Sequence, residues 1–280
     1  MNKVKKIIVS ENVFSDIVEG MIEKATPDQI NLSSFETKKS LHPKIWVYDK
    51  MNSKVRLRLM DIADDFVKTL SIDWVKPDDL VVMGSIANFN WSKFSDIDLH
   101  ILMDFSKVFP GKDKKAMMEV LMDFFDSKKN AWNSEHEALK VYGFPVEIYV
   151  QDSKTFKPVS GCYSLESNKW IHSPEYKGSA VINPDEVKEI AASIITKADD
   201  LEEMFKNAGD NEYKLRKCNE RIKRLLKSLK EMRSGAFDKK KGEGEMSTPN
   251  IVYKVIRRTG YLDKLYDLKN LSYDKLNSIR

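Results

Sequence analysis

The chain has 280 residues, of which 41% are hydrophobic, and its formal net charge is +4 at pH 7. This length supports a sizeable core, and we expect two lobes. No apolar run approaches the roughly 20 residues of a membrane span, and the N-terminus lacks a secretory hydrophobic region, so we expect a cytoplasmic protein without membrane contact. Cys162 and Cys218 lie far apart, which favours a reduced compartment without a disulfide.

The charge is unevenly spread along the chain. Residues 211–280 contain 19 Lys and Arg against 9 Asp and Glu, a net charge of +10, so residues 1–210 carry about −6. The sequence therefore predicts an acidic lobe followed by a basic one.

The N-terminal part, residues 1–75, is expected to pack on a core that follows it. A short helix is predicted at Glu11–Lys24 and a better one at Lys54–Leu70, whose apolar residues recur on one side. Trp46 and Tyr48 suit either the core or a surface for a nucleotide or partner.

A short apolar strand, Leu80–Met83, ends at Gly84 and Ser85. Glycine lets the backbone approach a bulky anion closely, and the serine hydroxyl adds a hydrogen-bond donor. This turn is therefore a candidate for binding phosphate oxygens, although an ordinary turn would look the same.

The next strand alternates Ile97, Leu99 and Ile101 with polar residues. One face is therefore buried, and the other presents Asp96, Asp98 and His100. Strand geometry separates the two carboxylates by roughly 6 to 7 Å. This spacing suits a pair of divalent ions that clamp the oxygens of a phosphoryl displacement, and oxygen ligands favour Mg²⁺ or Mn²⁺.

His100 leaves two interpretations open. It shares the predicted carboxylate face, so it suits contact with a metal or a phosphate, and it equally suits a hydrogen bond within the sheet.

An amphipathic helix is predicted at 112–130, with an aromatic and methionine stripe that indicates core packing. A further strand follows over 145–151. Val146, Ile148 and Val150 form its apolar side, and Glu147 is the single carboxylate on the other side.

Gly84 and Ser85, the spacer with Ser95, and the pair Asp96 and Asp98 together resemble the signature of the DNA polymerase beta-like nucleotidyltransferase superfamily. The resemblance implies a small mixed sheet, two metal ions, three carboxylates and transfer of a nucleoside monophosphate from a triphosphate. It makes Glu147 the third carboxylate, although many members have aspartate there. We assign the core to residues 76–180.

Residues 161–171 predict a hairpin at the sheet edge. Lys169 is a candidate for reaching a triphosphate, and Tyr163 or Trp170 for stacking on a base. A purely structural hairpin with an exposed lysine fits the same residues.

Residues 181–280 predict a basic helical domain. Apolar residues recur at helical spacing from Asp185 to Phe205, and again after Gly209, which indicates two antiparallel helices. The second helix is ringed by Lys and Arg, which either keep it soluble or bind RNA.

Residues 238–245 contain no apolar side chain and predict a loop. Thr248 is then the predicted N-cap of a further helix that Gly260 ends. Lys254, Arg257 and Arg258 share one side of this helix, which suits contact with phosphate or with solvent alone.

These predictions define an α+β protein: a small mixed β-sheet nucleotidyltransferase core flanked by helices and followed by a C-terminal helical lobe. The expected reaction moves a nucleoside monophosphate from an NTP, with ATP first among the candidates, to an acceptor hydroxyl of RNA, protein or a small molecule. A cyclic or oligonucleotide synthase and a non-catalytic nucleotide sensor are the alternatives. The metal ligands and catalytic residues are Asp96, Asp98 and Glu147, and the nucleotide-binding residues are Gly84, Ser85, Ser95, Lys169, Lys254 and Arg257.

The resemblance extends more loosely from Leu41–Trp46 to Arg257–Tyr261, where the chain is similar to nucleotidyltransferases predicted in bacteriophage genomes.

Overall fold

The computed structural model describes residues 30–109, 114–176, 183–237 and 244–278. The described residues divide into two compact units, one within residues 32–180 and the other within residues 181–280. The predicted helix at Glu11–Lys24 lies outside the described residues, as do residues 238–243 of the predicted loop. The boundaries at residues 75 and 180 that we drew from the sequence stay a prediction.

A six-stranded sheet organises the first unit. The strands are β3 (Asp79–Met83), β4 (Ile97–Met103), β5 (Lys140–Val141), β6 (Phe144–Asp152), β7 (Cys162–Ser164) and β8 (Lys169–His172). Their order in the sheet is β5-β6-β4-β3-β7-β8, with β4 and β6 parallel and the other neighbours antiparallel.

One face of this sheet is covered by helices. Ile97, Leu99 and Ile101 are fully buried, as their alternation predicts, and they join one core cluster with residues of helices α1 (Ser53–Thr69) and α3 (Lys114–Glu135). Because side chains alternate along a strand, burial of this set turns Asp98 and His100 to the opposite face. The order of helix, two strands, helix and strand is the one predicted from the sequence.

The structure adds elements that the sequence patterns did not indicate. A small hairpin pairs β1 (Trp46–Val47) with β2 (Lys50–Met51), and a single-turn helix, α2 (Phe105–Val108), follows β4. Trp46 is a core residue: its indole Nε1 donates to the carbonyl of Ile86 at 2.8 Å. Tyr48 sits in the hairpin turn and is 96% exposed.

The second unit is helical. Its helices are α4 (Pro184–Lys206), α5 (Glu212–Ala236), α6 (Thr248–Arg258) and α7 (Tyr261–Asn277); α5 packs on α7, and α4 packs on α6. The predicted N-cap of α6 is wrong by one residue, because the hydroxyl of Ser247, not Thr248, accepts the backbone N–H of Asn250. Gly260 has φ +79° and separates α6 from α7, as predicted.

The α+β fold class is confirmed: a mixed sheet with flanking helices is followed by helices in the C-terminal region. Among the described residues, no helix combines the length and the apolar composition that crossing a membrane requires.

Candidate active site

Three carboxylates meet on the face of the sheet opposite the helices. Asp98 on β4 lies directly beside Glu147 in the parallel β4–β6 ladder, and Asp96 precedes Asp98 by two residues. Each residue offers one carboxylate oxygen, these oxygens all lie within 4.8 Å of one another, and all three side chains are half-buried. A compact set of oxygen donors with three negative charges fits Mg²⁺ or Mn²⁺.

Gly84 brings the backbone against this cluster. Its φ of +76° and ψ of −166° lie in a region that essentially only glycine adopts. A Cβ atom at this position would collide with the Oδ2 oxygen of Asp98. The sequence indicated a close approach of the backbone to an anion here, and the structure shows that Gly84 lies against a carboxylate of the protein itself.

The turn after Gly84 is held by side-chain hydrogen bonds. Asn88 donates from Nδ2 to the Gly84 carbonyl at 2.7 Å, and its Oδ1 accepts the backbone N–H of Gly161 at 2.9 Å. The hydroxyls of Ser85 and Ser95 are 2.7 Å apart, and Ser95 also accepts the backbone N–H of Ser92. Ser95 is therefore a buried support of the loop, whereas Ser85 is half-buried.

Tyr149 is a neighbour of the cluster that the sequence interpretation left without a role. Its hydroxyl donates to Oε2 of Glu147 at 2.6 Å. Burial, and then the hydrogen bond to Glu147, raise the pKa of Tyr149, so the hydroxyl keeps its proton at neutral pH. The signal was present in the alternation of β6, which places Tyr149 on the same face as Glu147.

His100 and Lys129 surround the Tyr149 ring. The His100 imidazole stacks on it with centroids 4.8 Å apart, and Lys129 Nζ lies 4.8 Å from its centroid. His100 Nδ1 is 3.0 Å from Oε1 of Gln151, which favours the interpretation of a histidine bonded within the sheet. Burial is the main cause that lowers the pKa of His100, to about 4; the hydrogen bond with Gln151 opposes this shift, and the nearby charge of Lys129 adds to it.

Lys169 is not among the residues that converge on the carboxylates. It is exposed on the edge strand β8, opposite Ser164, and β8 lies three strands from β4. That separation is about 14 Å at ordinary strand spacing. The aromatic residues of the hairpin serve the core, since Tyr163 is buried and Trp170 stacks on Trp46 with centroids 4.5 Å apart.

Lys254 and Arg257 belong to the second unit. Both are half-buried on α6, three residues apart and therefore on one side of the helix. Their contact with a nucleotide stays a prediction.

Residues 60–170 match the family model described as a nucleotidyltransferase domain. The match includes β3, β4 and β6, and with them all three carboxylates. This part of the chain is a nucleotidyltransferase domain of the polymerase beta-like superfamily. No curated protein and no solved structure matches the chain, and the similarity to bacteriophage proteins stays a prediction.

Proposed function

We propose that the protein transfers a nucleoside monophosphate from an NTP to an acceptor hydroxyl in a reaction that depends on a divalent cation. The observation that carries this proposal is the convergence of Asp96, Asp98 and Glu147 within a nucleotidyltransferase domain. In the reaction, the acceptor oxygen forms a bond to the α-phosphorus and the bond from that phosphorus to the β-phosphate bridging oxygen breaks. Pyrophosphate leaves, and the acceptor hydroxyl gives its proton to the carboxylate of Glu147.

Asp96, Asp98 and Glu147 would hold Mg²⁺ or Mn²⁺. When bound, such cations neutralise the charge on the phosphate oxygens and lower the barrier to in-line displacement. Glu147 also orients the incoming hydroxyl, a task for a carboxylate within hydrogen-bond reach. The hydrogen bond from Tyr149 engages Oε2 of Glu147, so we assign this orienting role to Oε1.

The remaining steps are binding and positioning. The hydroxyl of Ser85 and the backbone at Gly84 lie on the turn next to Asp98, where they are suited to hold the terminal phosphates. Ser95 holds this turn in place through its hydrogen bond with Ser85. Alignment and charge neutralisation account for most of the catalysis of phosphoryl transfer, so these few groups suffice.

ATP is the donor we propose to test first, and RNA is the acceptor. The support for RNA is the net charge of +10 over residues 211–280, which favours a polyanionic partner.

A transfer assay tests the proposal directly. The full chain is incubated with each of four α-³²P-labelled NTPs, Mg²⁺ and total cellular RNA, and the label is traced. We expect transfer with release of pyrophosphate, and its loss in the double variant Asp96→Asn with Asp98→Asn. Asp64→Asn with Asp65→Asn is the matched control, because it removes the same charge from exposed positions on α1. Turnover retained by the site variant, with an unchanged melting temperature, contradicts the metal-site assignment.

Thermal denaturation separates an enzyme from a nucleotide sensor. A ligand that binds only the folded state at 100 times its Kd adds about 2.7 kcal/mol of stability. Stabilisation by an NTP that needs Mg²⁺ and is lost in the site variant supports the nucleotide site. The same stabilisation without label transfer to RNA, protein or small molecules of a lysate identifies a sensor.

A further inference from the structure

A cavity of about 370 Å³ opens within the second unit, between α5, α6 and α7. Its volume falls in the range of small-molecule sites, about 300 to 1,000 Å³. One side of α5 supplies much of the lining, because Leu226, Lys230 and Arg233 follow one another at helical spacing, and Phe237 is the C-cap residue of the same helix. The carboxylate cluster belongs to the other unit, so this cavity is a separate feature.

The interior of the cavity is apolar and aromatic. Leu226 and Leu262 are buried beneath it, and Tyr253 contributes a further ring. Phe237 and Tyr266 also line it, yet they remain 50% and 41% exposed. Exposed aromatic rings around an apolar floor favour a flat ligand that stacks, and a nucleobase of any kind stacks on such faces.

Two cations complete the lining. Lys230 and Arg233 are both exposed, and the Arg233 guanidinium lies over the Tyr253 ring at 4.8 Å from its centroid. None of the described lining residues is acidic. Among the described residues Lys230 makes no ion pair, whereas other cations of α5, such as Arg216 and Lys227, pair with glutamates of the same helix.

We propose that this cavity binds a nucleotide, with the base among the Phe237, Tyr253 and Tyr266 rings and the phosphate at Lys230 and Arg233. A free mononucleotide and a nucleotide unit of single-stranded RNA share this chemistry. The binding site itself is independent of the proposed transfer reaction. Only its role as the place where an RNA acceptor is held rests on the proposed function.

Binding is measured on the full chain without NTP or divalent cation. One arm uses fluorescence anisotropy of a 5′-fluorescein-labelled single-stranded RNA of 12 nucleotides, and the other uses calorimetry with the four nucleoside monophosphates. We expect the RNA to bind with an affinity that falls as salt rises. Competition by a monophosphate identifies a free nucleotide as sufficient, and binding of the strand alone identifies a nucleotide within RNA.

Variants locate the binding. Tyr266→Leu removes a stacking face and keeps an apolar side chain, so we expect a loss of affinity of about 5- to 150-fold, the measured span for loss of one stacked base. Lys230→Gln with Arg233→Gln removes two positive charges at the cavity. Its matched control, Lys214→Gln with Lys223→Gln, removes two exposed positive charges elsewhere on α5. The cavity variant should lose at least tenfold more affinity than the control.

Equal losses in the two charge variants, together with unchanged binding by Tyr266→Leu, overturn the proposal and leave only general electrostatic attraction. Absence of binding in both arms overturns it as well. Circular dichroism and the melting temperature verify the fold of each variant. Without a divalent cation, the double variant Asp96→Asn with Asp98→Asn should bind the RNA and the nucleoside monophosphates at the cavity as the parent does, so failure of the transfer reaction and failure of the cavity are read separately.

Discussion

The two units of the protein hold their charged side chains in opposite ways. In the first unit, the carboxylates of Asp98 on β4, Glu147 on the adjacent β6 and Asp96, just before β4, meet on one face of a sheet. In the second, α5 carries nine Lys and Arg residues against three Glu, distributed around the exposed circumference of a helix. The first arrangement is a compact cluster at one position of the sheet, whereas the second is an extended basic surface.

This difference shows how closely a strand and a helix each determine which side chains become neighbours. A strand alternates between two faces, and the ladder beside it fixes which residues are neighbours, so a carboxylate on β4 selects one partner on β6. A helix spreads its exposed residues over a wide arc, and packing against other helices decides which of them border a cavity. The reaction class is therefore easier to infer than the acceptor.

The largest effect is expected at Gly84. Replacement by alanine forces an unfavourable φ and places Cβ on the Asp98 carboxylate, so we expect a loss of about 3 kcal/mol or more in the free energy of unfolding and no detectable transfer. Urea denaturation and the labelled transfer assay measure both. Gly143→Ala is the control, because Gly143 has φ +91° with no atom near a new Cβ. Equal effects at the two positions would show that backbone strain alone is responsible.

The next largest effect is expected at Tyr149, which contacts the carboxylate cluster through one hydrogen bond. Tyr149→Phe removes only the hydroxyl that donates to Glu147, and we expect Mn²⁺ to bind about 10- to 100-fold more weakly. Electron paramagnetic resonance titration measures the Mn²⁺ affinity without turnover. Tyr142→Phe removes a hydroxyl from an exposed tyrosine and should change nothing. Unchanged Mn²⁺ affinity in Tyr149→Phe, with the fold intact, rules out a positioning role.

Replacement of Lys264 tests whether ion pairs stabilise the helices of the second unit. Lys264 Nζ bonds to Asp199 at 2.8 Å and also reaches Glu202, and the three side chains are largely shielded from solvent. Lys264→Met leaves both carboxylates without this partner, so we expect a loss of about 1 to 2 kcal/mol in urea denaturation. Lys275→Met removes a pair with the exposed Asp210 and should cost less than about 0.5 kcal/mol. A smaller loss at Lys264 than at Lys275 would contradict this ranking.

The smallest effect is a pH dependence in the first unit. Hydrogen bonds from Ser106 and Lys154 lower the pKa of Asp104 to about 2 from its ordinary 3.8. The contribution of Asp104 to stability is therefore complete above about pH 4 and is lost as the pH falls towards 2. Asp104→Asn should flatten the acid limb of the stability curve measured in urea. Asp65→Asn, which removes an exposed partner of Lys68, should leave this limb unchanged.

Much of the first unit follows from local patterns. Alternation in β4 and β6 predicts their buried faces, and helical spacing predicts α1 and α3, because each pattern repeats with the period of its element. The short elements β1, β2, β5 and α2 escape such an analysis. They contain two to four residues, too few for a hydrophobic pattern to repeat. Tertiary contacts hold them instead, such as the hydrogen bond from the Trp46 indole to the Ile86 carbonyl.

The candidate site shows the same division. The face of Glu147 follows from alternation, but its place directly beside Asp98 depends on the register of a parallel pair whose partner residues are 49 positions apart in the chain. Alternation also places Lys169 on the hairpin without indicating that β8 is three strands from β4. Strand order depends on packing of the whole sheet, which no local pattern reports.

By itself, the sequence determined the buried sides of the main helices and strands, the glycine turn, the two aspartates two residues apart, and the basic character of the C-terminal quarter. Only the tertiary structure decided which of these features meet. It placed the Gly84 backbone against Asp98, the Tyr149 hydroxyl on Glu147, and an aromatic and cationic lining around one cavity. The physical reason is that periodicity is a property of one element, whereas a site is made by the packing of several.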